Sequence, residues 1–84
     1  MERILITIDI QYFAALREQR GLSREQIETA AATPGDLYLD LSDVHGFQLP
    51  ANMVKASVNG AFVSLDYPLQ DKDRVVFIPP VAGG

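Results

Sequence analysis

The residues best placed to do chemistry in this 84-residue chain are its last six, Pro79-Pro80-Val81-Ala82-Gly83-Gly84. A terminal carboxylate is ionised at neutral pH, with a reference pKa of about 3.5, and is inert towards nucleophiles. If it attacks the α-phosphate of ATP it becomes an acyl-adenylate, from which a sulfur nucleophile can displace AMP. A terminal glycine leaves the carbonyl open to that attack. Two glycines also let backbone and carboxylate enter a slot where any Cβ would clash. The two prolines ahead hold the chain near polyproline II and reduce the entropy lost on insertion into a partner. At ~3.1 Å per residue, Pro79 to Gly84 reach roughly 18 Å. Gly84, through its carboxylate, and Gly83 are therefore the candidate reacting residues. The competing reading is an ordinary frayed end.

Other chemistry has little to stand on. There is no cysteine, so there is no thiolate, disulfide or cysteine-built metal site, and a reducing compartment fits. The single histidine, His45, falls at an expected helix end, where a cap or surface role suits it. Asp71 and Asp73 read as a solvated turn, because a hard cation wants six or more oxygens. Gly83-Gly84 is not followed by a helix that would make it a phosphate cradle. No base accompanies Ser23, Ser42, Ser57 or Ser64. The chain is thus expected to bind no metal and no cofactor of its own, and to act as a carrier without catalytic side chains. Any ATP would be used by an activating partner.

The net charge is -4, with no run of Lys or Arg. Nucleic acid and anionic membrane reward positive charge, so neither is expected as a partner; a mildly acidic carrier suits basic proteins. No apolar stretch approaches the ~20 residues of a membrane span. No basic segment followed by an apolar run opens the chain, so a cytoplasmic location is expected.

The elements that must hold the tail follow from patterning. Ile4, Ile6, Ile8 and Ile10 alternate with Leu5, Thr7 and Asp9, the period of a strand. Tyr12 to Gly21 reads as one or two helical turns closed by glycine. Gln26 to Thr29 could pair back on the first strand, while Ala30-Ala31-Ala32 would tolerate helix. Thr33-Pro34-Gly35-Asp36 starts a helix with a cap, a proline at the first position and an acid at the positive dipole end. Leu37, Leu41 and Val44 continue it at helical spacing, and Gly46 ends it. Lys55–58 and 61–65 flank Asn59-Gly60, a strong hairpin signal because both turn residues tolerate positive φ. Arg74 to Ile78 is a last strand, stopped by Pro79. The expected fold is α+β, a β-grasp with a mixed four- to five-stranded sheet packed on one main helix. Residues 1–78 would form the domain and 79–84 an extended Gly-Gly tail. Ile6, Ile8, Leu41, Val58, Val76 and either Phe77 or Ile78 are expected in the core.

Two stretches carry a family likeness. One runs Val58-Asn59-Gly60, Val63 to Leu69, Asp71 and Asp73 to Gly84; the other is Phe13 to Glu18 followed by Gly21. Together they resemble the small subunit of molybdopterin synthase, the MoaD family of ubiquitin-like sulfur carriers. The likeness covers about half the chain and is weak from Leu22 to Met53. It implies that a ubiquitin-activating-like (MoeB-like) adenylyltransferase uses ATP to adenylate Gly84, which becomes a thiocarboxylate. It implies that the tail then enters the large synthase subunit (MoaE-like) and donates sulfur to a cyclic pyranopterin phosphate in molybdenum cofactor biosynthesis. It also places Phe13, Phe62 and Ile78 on the face meeting that subunit, with Pro79, Pro80 and Val81 leading in; the bland reading of the first three is core packing. Alternatives keep the tail and change its acceptor: a carrier for thiamine, cysteine or tRNA thiolation, or a ubiquitin-like protein modifier. A further alternative is an interaction domain with an inert tail.

Overall fold

The computed structural model describes residues 4–80. In chain order they form β1 (Ile6–Tyr12), α1 (Ala14–Arg20), β2 (Arg24–Thr29), α2 (Pro34–His45), a 3-10 turn (Ala51–Met53), β3 (Lys55–Val58), β4 (Ala61–Val63) and β5 (Arg74–Ile78). The five strands make one sheet in the order β2-β1-β5-β3-β4. Only β1 and β5 run parallel. The β-grasp expectation holds: one mixed sheet is folded across one main helix.

Local chemistry explains the boundaries. Thr33 Oγ1 accepts from the Asp36 amide at 3.1 Å, Pro34 opens α2, and Gly46 closes it at φ 70°. The helix starts against the β4–β5 connection. The Gly35 amide donates to Leu65 O at 2.8 Å, and a Cβ there would meet that oxygen at 3.0 Å. The β3–β4 turn is carried by Asn59 at φ 52° and Gly60 at φ 91°. Asp73, read from sequence as part of a solvated turn, is instead buried. It accepts from Asn59 Nδ2 at 2.9 Å and from the Gln70 amide at 2.8 Å, so it ties the hairpin turn to the start of β5. Asp71 accepts from the Thr7 amide at 2.7 Å.

The core lies between α2 and one face of the sheet. Ile8, Ile10, Leu16, Leu37, Val75 and Phe77 are its fully buried centre. Tyr12, Tyr38, Phe47 and Phe77 form an aromatic cluster within it, with ring centroids 5.4–6.5 Å apart. Several expected placements shift. Tyr12 ends β1 rather than starting α1, and Ala30-Ala31-Ala32 connects β2 to α2 without forming helix. Ile4 is 85% exposed and Ile6 only half-buried, because the covered part of β1 is its C-terminal half, Ile8 to Tyr12. Val76 is half-buried: strand parity sends Val75 and Phe77 inward and Val76 to the other face. Val44 is 75% exposed. At 100° per residue, the buried Pro34, Leu37, Tyr38 and Leu41 centre about 70° round from it.

One polar cluster seals the α1–β2 end. Glu25 receives Arg20 Nε and Nη2, both at 2.8 Å, and the Tyr12 hydroxyl at 2.6 Å. The Arg20 hydrogen bond is the main cause holding the Glu25 carboxyl below its ordinary value. Burial, then the hydrogen bond to Glu25, pushes the Tyr12 phenol up. A carboxyl depressed in the fold adds stability above its unfolded pKa of about 4.3 and loses it as pH falls through the folded value. Glu25→Gln is therefore expected to lower Tm by a few degrees at neutral pH, on the order of 1 kcal/mol. The gap to the parent should close in acid. Melts across pH check this; a gap that is constant with pH would show the charge plays no part.

Candidate functional site

The tail leaves the domain from β5, the middle strand of the sheet. Pro79 is buried directly after it and Pro80 is exposed. Both line a groove of about 900 Å³, together with Phe13, Ala15, Leu49 and Ile78. Phe13 reaches the groove because the chain turns between β1 and α1 at Ala14, which takes a left-handed φ of 51°. That conformation costs a non-glycine residue roughly 1–2 kcal/mol. Phe13 is 41% exposed and Ile78 half-buried, so neither belongs to the core.

Phe62 lies elsewhere on the same sheet. It is 71% exposed and stands opposite Ser57, which stands opposite Val76 on β5. Lys55, two residues before Ser57, pairs with Ile78. By strand alternation Phe62, Val76 and Ile78 all point to the open face, away from α2. Ile78 thus joins the groove holding Phe13 to the sheet face holding Phe62. Of the expected site residues, Phe13, Ile78, Pro79 and Pro80 come together in one groove, and Phe62 sits two strands away on the continuous face. Val81, Gly83 and Gly84 lie outside the described residues. The sequence reading missed Leu49 and Val76, whose role depends on register and loop path. An apolar residue one step out of phase with β5 was the available signal for Val76.

Little else among the described residues is built for chemistry. No group of three or more acidic or histidine side chains there could hold a metal ion. No helix there is long and apolar enough to cross a membrane. His45 occupies the last turn of α2, its ring centroid 6.0 Å from that of Phe47, as a helix-end residue. What the arrangement offers is a rigid domain whose central strand runs straight into a proline-led tail, beside an exposed apolar surface.

Comparison with known proteins agrees with this geometry. The molybdopterin synthase sulfur carrier subunit of Escherichia coli (strain K12) is 35% identical over 80 residues, covering 92% of this chain and 99% of that protein. A molybdopterin converting factor subunit 1 from Pyrococcus furiosus is 30% identical, with TM-score 0.73, over 90% of this chain and 99% of that one. The complex of subunits 1 and 2 of the molybdopterin-converting factor from Helicobacter pylori contains a chain of the same fold. It is 22% identical with TM-score 0.62, over 94% of this chain and 100% of that one. The ThiS family matches residues 10–84, and the chain belongs to it.

Proposed function

We propose that this chain is the sulfur carrier subunit of a molybdopterin synthase. Its reacting group is the Gly84 carboxylate, adenylated at the expense of ATP by a ubiquitin-activating-like enzyme. A sulfur donor then displaces AMP, leaving a thiocarboxylate that carries one sulfur to a pyranopterin acceptor in the large subunit. The catalytic groups for activation belong to the partners; this chain supplies a handle and a narrow peptide.

The observation that carries the reading is the end-to-end likeness to the E. coli sulfur carrier subunit. The groove supports it. Phe13, Ile78, Pro79 and Pro80 place an apolar surface at the root of the tail, where a partner could grip the domain while the tail enters its active site. The H. pylori assembly supports a large-subunit partner, because a chain of this fold is held there by a second subunit.

The test is the intact mass of the chain after incubation with ATP, the adenylating enzyme and a sulfur donor. The expected product gains the mass of one sulfur in place of one oxygen, and the change maps to the C-terminal peptide. An unchanged mass, with the activating enzyme shown active on its own carrier, sinks the reading.

A further inference from the structure

The chain has a net charge of -4, which taken alone favours basic partners. The fold distributes that charge unevenly. A single row crosses the open face of the sheet: Phe62, Ser57, Val76, Gln11 and Arg24, each opposite the next across adjacent strands. Lys55 and Arg74 flank the row on β3 and β5, and Lys72 lines a shallow depression of the same face with Asp9, Arg74 and Val76. Arg24, Lys55, Lys72 and Arg74 are all exposed. None of the four has a carboxylate within 4 Å among the described residues, where the ion pair formed is Arg20 with Glu25. The acids sharing this face are Asp9, beside Arg74, and Glu28 on β2. On the far side of the sheet, α2 exposes Asp36, Asp40 and Asp43. The apolar centre of the open face is therefore ringed by cations on a molecule whose total charge is negative.

We propose that this open face docks a protein whose socket is apolar in the middle and acidic at its rim. The proposal rests on the carrier reading, within which that protein is the large synthase subunit, and it reverses the expectation drawn from net charge. Charge complementarity supports it, as does continuity with the groove at the tail. Rim charges act mainly on encounter: they steer association, and salt weakens them within a Debye length of about 8–10 Å. The apolar centre governs dissociation.

The experiment measures association and dissociation rates of the full chain with the large subunit of the same source, across ionic strength. The variants are Lys55→Glu/Arg74→Glu on the sheet face and Asp40→Lys/Asp43→Lys on α2. Parent association is expected to slow about tenfold from low to high salt. The sheet-face pair should slow it about tenfold at low salt, with dissociation changed far less. The α2 pair should leave it within about twofold, since those residues face away. All four positions are exposed, and matching melts confirm folding. Salt-independent association, or a sheet-face reversal that leaves the rate unchanged or raises it, overturns the charge inference and leaves the carrier reading standing. Equal and opposite effects from the two pairs also overturn it, because net charge then decides. No binding by the parent at any salt overturns the large-subunit reading itself. Sedimentation of the chain alone as a dimer through this face would assign the surface to a second copy and overturn the proposal.

Discussion

Removing Gly84, or adding one residue after it, is expected to reduce ATP–pyrophosphate exchange by the activating enzyme at least 10²-fold. Either change moves the carboxylate by about 3 Å along an extended tail. A nucleophile held even 1 Å from its productive position loses on the order of 10² in rate. The deletion also removes a residue without a Cβ from a path shared by two different active sites, one adenylating and one accepting sulfur. Stability should hardly change, because chain ends contribute few contacts. Exchange assays with parallel melts test both halves. Parent-rate exchange by the deletion variant would show that the carboxylate is not the working group. A large drop in Tm would show that the tail is part of the core.

Phe77→Ala is expected to cost about 3–5 kcal/mol and lower Tm by roughly 15–25 °C. Phe77 is fully buried in the middle strand. It stacks on Tyr12 at 6.5 Å and meets Tyr38 edge-on at 5.4 Å. Its loss opens a cavity between β1, β5 and α2 that neither tyrosine can fill while its hydroxyl stays bonded, Tyr12 to Glu25 and Tyr38 to Leu49 O. The next residue is the control. Ile78 points to the open face, so Ile78→Ala should cost about 1 kcal/mol or less. Denaturant melts of the two variants measure the difference. Equal costs would mean the sheet does not present opposite faces at 77 and 78. For a domain so small, the loss at Phe77 is a large part of a total near the low end of 5–15 kcal/mol.

Legibility from sequence followed the range of the interactions involved. Asn59-Gly60 gave its hairpin because positive φ at both positions is a one-residue property. Thr33, Pro34 and Gly46 marked both ends of α2 because capping is settled within a turn. The burial of Tyr12, Tyr38 and Phe47 was not legible, since it depends on how α2 is rotated over the sheet. That rotation also turned Val44 outward. Asp73 looked like turn polarity because its partners Asn59 and Gln70 are brought to it by pairing β3 with β5. At the site, the tail and Phe13 were read from the family likeness and from composition. The grouping of Phe13, Ile78, Pro79 and Pro80, and the ring of cations around Phe62, needed the register. Net charge was a poor guide to the docking face because a sum discards position.

The parallel pairing of β1 with β5 has a mechanical consequence. The strand nearest the beginning of the chain and the strand that leads into the tail lie side by side and point the same way. Tension applied at the two chain ends therefore loads their shared hydrogen bonds in shear, all together, and does not unzip them one at a time. A partner drawing on the tail pulls against the strongest direction of the sheet, so the domain can be tugged into place and released without melting its central seam.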